Sequence, residues 1–203
     1  MKTKARVWKA DEFQVPKDFH VLIDTNVWLY MHMEEATQNF TRDGNVANDY
    51  MEVIGRLLEG GATLHFSCFS FCEIAHVIEN YFYELYKANL GREFPKKRYR
   101  HDLPRERLKV VTKIQEVWSA VVATGVAVAD YPVAVDAMDG LVADFRNFSI
   151  DSYDLFMLDS MRHCNCSFLL TNDGDFLSVP NLDVLTLSRS ALEIAEEARI
   201  LRK

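Results

Sequence analysis

Four acids occupy positions where they can act together. Asp24 follows the apolar run 19–23 (FHVLI), Glu73 lies early in the apolar stretch after residues 63–67, Asp154 sits in SYDLF, and Asp173 follows the short run 167–170. Gathering carboxylates is costly, because two of them about 4 Å apart repel by roughly 4 kcal/mol at an effective dielectric near 20. A divalent cation removes that cost. One ion halves the formal charge of the set and two cancel it, and oxygen-only ligands select Mg²⁺ or Mn²⁺ over zinc. Such a centre activates water against a phosphate, so the chemistry it suits is phosphodiester hydrolysis. Asp175, two residues past Asp173 in TNDGDF, is a candidate fifth metal ligand acting through a water. Thr171 and Asn172 are candidate hydrogen-bond donors to a phosphate or a ligand.

The elements that must position these acids follow from hydrophobic periodicity. Residues 19–23 predict a buried strand and 27–33 a helix, while Val46, Tyr50, Val53, Ile54, Leu57 and Leu58 predict a helix over 46–58 that ends at Gly60-Gly61. A strand over 63–67 and a helix over 69–86 come next, then a loop or broken helix over 90–107 and a helix over 106–124. The remaining expectations are a strand at 126–129, helices at 135–148 and 152–162, strands at 167–170 and 184–187, and a helix over 191–201 capped by Ser188 or Ser190. Strands alternating with helices predict a parallel sheet covered on both faces, with ligands bound outside the carboxyl ends of the strands. All four acids fall at that edge.

Other reactive residue types form no second constellation. Cys68, Cys72, Cys164 and Cys166 lie in apolar surroundings and are expected as core thiols, since their spacing is poor for zinc. The histidines have no partner spacing that singles them out. Asp159, five positions past Asp154 and so about 140° round a helix, is expected at the surface or in a salt bridge. Asp151 is expected as the N-cap.

The chain has 203 residues, 49% of them apolar, and a formal charge of −7. That is enough to fill one core, and a single domain over 1–203 is expected. No window approaches the roughly eighteen apolar residues of a membrane span, and the N-terminus lacks the pattern of a signal peptide, so a cytoplasmic protein is expected. The charge is segregated. Residues 87–113 carry ten Lys or Arg against three acids, a local +7, which leaves −14 for the rest. Within this basic insertion, Lys96, Lys97, Arg98 and Arg100 are expected to hold a phosphate backbone, with Tyr99 stacking on a base.

VLIDTN, Glu73 within FSCFSFCEIAHVI, YDLFMLDS and LLTNDGDF, in this order, resemble the motifs of the PIN-domain family over about residues 19–187. The resemblance implies a three-layer α/β/α fold with a central parallel sheet, here carrying a helical, basic insertion. It also implies a Mg²⁺- or Mn²⁺-dependent endoribonuclease of a toxin-like or RNA-processing kind. Asp24, Glu73, Asp154 and Asp173 are then the metal-binding and catalytic acids, and Asn26 joins Thr171 and Asn172 as a substrate contact. VapC-like members make an antitoxin or other protein partner and a homodimer further expectations. Two other readings share these residues: a catalytically silent PIN domain that binds RNA or protein, and a DNA-directed nuclease or phosphatase.

Overall fold

The computed structural model describes residues 4–33, 46–128, 137–164 and 166–202. Within them one parallel sheet contains β1 (Arg6–Lys9), β2 (His20–Ile23), β3 (Thr63–Phe66), β4 (Val126–Ala127), β5 (Phe168–Leu170), β6 (Asp183–Thr186) and β7 (Leu201–Arg202). Their spatial order is β4-β3-β2-β5-β6-β1-β7. From β2 the chain steps outward through β3 to β4, then returns to lay β5 on the opposite flank of β2. The strand order reverses there, and such a crevice is where open α/β sheets bind ligands.

Alternating residues of the central strands feed two cores, as the two-residue repeat of a strand requires. Val21, Ile23, Leu170 and Leu185 face one side; Leu22, Leu169 and Val184 face the other. The first side is covered by α1 (Thr25–His32), α2 (Val46–Glu59), α3 (Phe69–Leu90), α4 (Lys96–Asp102) and α5 (Pro104–Thr124). The second is covered by α6 (Ala137–Asn147), α7 (Ser152–His163) and α8 (Arg189–Glu197). The result is the expected three-layer α/β/α arrangement.

Local sequence explains the boundaries that matter for the site. In α2, Tyr50, Val53, Ile54 and Leu57 recur on one helical face and are buried, and the helix stops before Gly61, whose φ of 79° suits glycine. Asp151 caps α7: its side chain accepts from the backbone N–H groups of Tyr153 and Asp154, while Asp154 accepts from Asp151 N. This cap fixes Asp154 on the first turn.

Several expectations are corrected. β1 was not anticipated, because RVWK carries charge at both ends. The last helix ends at Glu197, and Arg199 takes a left-handed φ of 57° that lets Leu201–Arg202 turn back to pair with β1. Of the two forms expected for the basic insertion, it takes the broken helix: two helices, interrupted at Leu103 because Pro104 begins the second. Cys68 and Cys72 are exposed, since α3 turns its apolar face elsewhere; Cys166 is buried. Asp159 makes the expected salt bridge, to Arg162 at 3.0 Å, but is buried rather than at the surface. Ala129 and Val135, at the ends of two expected elements, lie outside the described residues.

Candidate active site

Asp24 is the N-cap residue of α1, at the carboxyl end of β2. Its backbone N–H donates to Leu170 O of β5 at 3.0 Å, tying it to the crevice where the strand order reverses. The carboxylate is 2% exposed. It accepts from the Thr171 hydroxyl at 2.5 Å and from the Asn26 amide. The Asp173 N–H donates to Thr171 Oγ1 at 2.8 Å, so one buried threonine couples Asp24 to the loop carrying Asp173. Asp173 in turn caps the 3₁₀ turn Gly174–Ser178 by accepting from Asp175 N at 2.8 Å.

Glu73 and Asp154 complete the group. Glu73 is half-buried on α3 and takes a hydrogen bond from the Thr25 hydroxyl. Asp154, on α7, is 8% exposed. Below them, the hydroxyls of Ser67 and Ser160 lie 3.0 Å apart in a buried contact, joining the end of β3 to α7.

The electrostatics show that these acids share one field. Burial pushes Asp24 well above the usual carboxylate range, and the charges of Glu73, Asp154 and Asp173 add to this against the Thr171 hydrogen bond. Asp154 is pushed up to about 7, first by burial and then by Asp151. Glu73 is raised by burial against its bond from Thr25, with Asp151 and Asp173 adding repulsion. Burial also raises Asp173, and the charges of Asp175 and Asp151 reinforce it against the bond from Asp175 N. Each of the four would bind protons more tightly than it does in water, and proton binding relieves the same repulsion that a cation would.

Among the described residues, none of the four is in an ion pair, and no three acidic, histidine or cysteine side chains converge tightly enough to form a ready-made metal cage. Each acid is instead held by the local donor just described. By donor chemistry the set fits a hard cation: it is made only of carboxylate oxygens, with hydroxyls and amides behind them. Asp175 is exposed at its margin.

Asn26, Thr171 and Asn172 form the supporting network. Asn172 N donates to Asn26 Oδ1 at 3.3 Å, and Asn172 Nδ2 to the Tyr30 hydroxyl at 3.1 Å. Two tyrosines not anticipated as site residues anchor this network. The buried Tyr50 hydroxyl reaches Thr171 O at 3.0 Å and Asn172 Oδ1 at 3.1 Å, and accepts from Leu187 N at 3.1 Å. Its ring stacks on Tyr30 at 5.9 Å. The only signal for Tyr50 was a polar tip at a core position of α2.

The basic insertion is built differently from the expectation. Tyr99 is fully buried, with its ring packed against Tyr83 and Tyr86, so it presents no face to a base. Arg100 and Arg107 both donate to Glu79 of α3, and Lys96 lies 3.7 Å from the same carboxylate. Arg98 pairs with Asp102, and Lys97 is exposed.

The acids gather where the strand order reverses, the place where open α/β sheets bind ligands. The PIN domain family model matches residues 21–182, and the chain belongs to that family, whose members are generally nucleases that use divalent metal ions. No curated protein matches the sequence. Among solved structures, that of VapBC2 from Rickettsia felis bound to a DNA fragment from their promoter is similar, with a TM-score of 0.46 and 12% identity over 83% of this chain and 98% of that one. No described helix is long and apolar enough to cross a membrane.

Proposed function

We propose that this protein is a Mg²⁺- or Mn²⁺-dependent endoribonuclease whose metal is held by Asp24, Glu73, Asp154 and Asp173, with Asp175 acting through a water. The observation that carries the reading is the group of four carboxylates at the crevice between β2 and β5, each raised above its usual range chiefly by burial, with mutual charge adding to it, and none neutralised by a cationic side chain among the described residues. A buried acid group of this kind is costly to a protein that uses it only structurally. A divalent ion there supplies charge neutralisation at the scissile phosphate and lowers the pKa of an attacking water.

The chain's own residues do the remaining work. Thr171 and Asn26 both hold Oδ2 of Asp24. Tyr50 and Tyr30 lock the loop carrying Asn172 and Asp173. The basic face of α4 and α5, with Lys96, Lys97, Arg98 and Arg100, supplies the positive field that the acidic centre lacks for its anionic substrate.

The test is incubation of labelled tRNA, mRNA, single-stranded DNA and duplex DNA with Mg²⁺, Mn²⁺ or EDTA, beside an Asp24→Asn control. RNA cleavage that requires metal and Asp24 is expected. Attack by water leaves 5′-phosphate and 3′-hydroxyl ends. Cleavage in EDTA, or cyclic phosphate products from attack by the ribose 2′-hydroxyl, would contradict the reading.

A further inference from the structure

A groove of 510 Å³ opens beside the acids. Cys72, His76 and Glu79 line it at i, i+4 and i+7 along one face of α3; Arg100 and His101 of α4, Arg107 of α5 and Tyr153 of α7 form the rest of its wall. It is continuous in sequence with the acidic centre at two points, since Cys72 precedes Glu73 and Tyr153 precedes Asp154. A polymer lying across the acids therefore has this groove as a neighbouring seat.

Its charge has the opposite sign to that of the centre. Glu79 is surrounded by Lys96, Arg100 and Arg107, so three cations meet one acid. The pairing leaves donors unused. Among the described residues, Arg100 spends Nε and Nη2 on Glu79 and keeps Nη1, and Arg107 spends Nη1 and keeps Nε and Nη2. Both side chains remain nearly half exposed, at 46% and 45%. Glu79 thus orients two guanidinium groups while neutralising only part of their charge, an arrangement suited to an oxyanion that needs several fixed donors. His76 and His101, both exposed, stand at the same rim. Half-buried Tyr153 is the aromatic surface on the side nearest the acids.

We propose that this groove is a nucleotide subsite of the nuclease centre: Arg100 and Arg107 hold the phosphate adjoining the scissile one, and Tyr153 packs against the base between them. The proposal rests on the RNA-cleaving reading above. It assigns base stacking to Tyr153 in place of the buried Tyr99. It also gives Glu79 a positioning role and makes single-stranded RNA the ligand class, because a stacked base must be unpaired.

The test is binding of a labelled single-stranded RNA of roughly eight nucleotides, measured in EDTA across a range of salt so that no metal-dependent cleavage intervenes. Arg107→Ala leaves Arg100 and Lys96 on Glu79; it should weaken binding and reduce the salt slope by about 0.7. Tyr153→Ala should weaken binding roughly fivefold or more, and Tyr153→Phe should restore it. His101→Glu places an acid at an exposed rim position and should weaken binding without depending on how well the Arg107 variant folds. If His101→Glu and folded Arg107→Ala bind with the parent's affinity and slope, the subsite is overturned, and the groove's charge serves another partner such as an acidic protein segment. Metal-dependent cleavage retained by the parent in that case would leave the nuclease reading standing. Groove-dependent binding by a parent that cleaves no RNA with metal would overturn the nuclease reading alone.

Discussion

At the residue scale, Asp151 is where structure and electrostatics oppose each other. Its side chain caps α7, yet its charge is among the causes that raise Asp154, Glu73 and Asp173. Asparagine keeps an accepting oxygen at the cap and loses the charge. The folded pKa of Asp154, about 7, lies above its ordinary 3.8, so between these values the metal-free folded state binds more protons than the unfolded state. Its contribution to stability is therefore lost as pH rises through that window. His32 and His65, both lowered by burial, act in the opposite direction, so the comparison must be between variants. Urea unfolding in EDTA should show Asp151→Asn gaining stability on the parent as pH rises from about 4 to about 7. A constant difference across that range would mean that Asp151 does not repel Asp154.

At the element scale, α4 is a packing helix with a charged outer face. Tyr99 is fully buried, and among the described residues its hydroxyl finds no hydrogen-bond partner. Removing an unpaired buried hydroxyl relieves a cost, so Tyr99→Phe should be at least as stable as the parent, by up to about 1 kcal/mol. Tyr99→Ala should lose roughly 3–5 kcal/mol. Denaturant titration checks both; a strong loss in Tyr99→Phe would reveal a partner for the hydroxyl. Assigning Tyr99 to base stacking failed for a physical reason. KKRYRH is dominated by charge, and one tyrosine among five charged or polar residues gives no period from which to tell an inward side from an outward one. Asp24 and Asp173 were legible because each follows the apolar run of a strand, whereas Asp154, on the first turn of α7, was marked by its place in YDLF. Tyr50 was not legible as a site residue, because its helical spacing assigns it to the core and only the folded loop reveals what its hydroxyl meets. β7 was hidden by the apolar period of α8 running on past Glu197, up to the left-handed residue Arg199.

At the scale of the whole molecule, charge is divided between a basic insertion of +7 and a remainder of −14. An acidic centre repels a polyanion, so under the proposed function the insertion supplies the long-range attraction for RNA. Lys97 and Arg98 are exposed on α4, outside the groove and outside the Glu79 cluster. Replacing both with Ala should leave stability nearly unchanged and reduce the salt slope of single-strand binding by about 1.4 at ~0.7 for each contact. An unchanged slope would assign these two charges to solvation.

The central claim, that the buried acids form a metal site, also concerns the stability of the whole fold. Asp24→Asn removes one ionisable carboxyl from a group that has no cationic side-chain partner among the described residues, while its amide oxygen can still accept from Thr171. The metal-free variant should be as stable as the parent or more so, and it should be inactive. A ligand bound only by the folded state stabilises it by roughly 2.7 kcal/mol at 100 times its Kd. The most direct measurement is a set of four thermal melts: parent and Asp24→Asn, each in EDTA and in excess Mn²⁺. The account predicts that metal raises the Tm of the parent far more than that of the variant; metal that moves neither melt would contradict it.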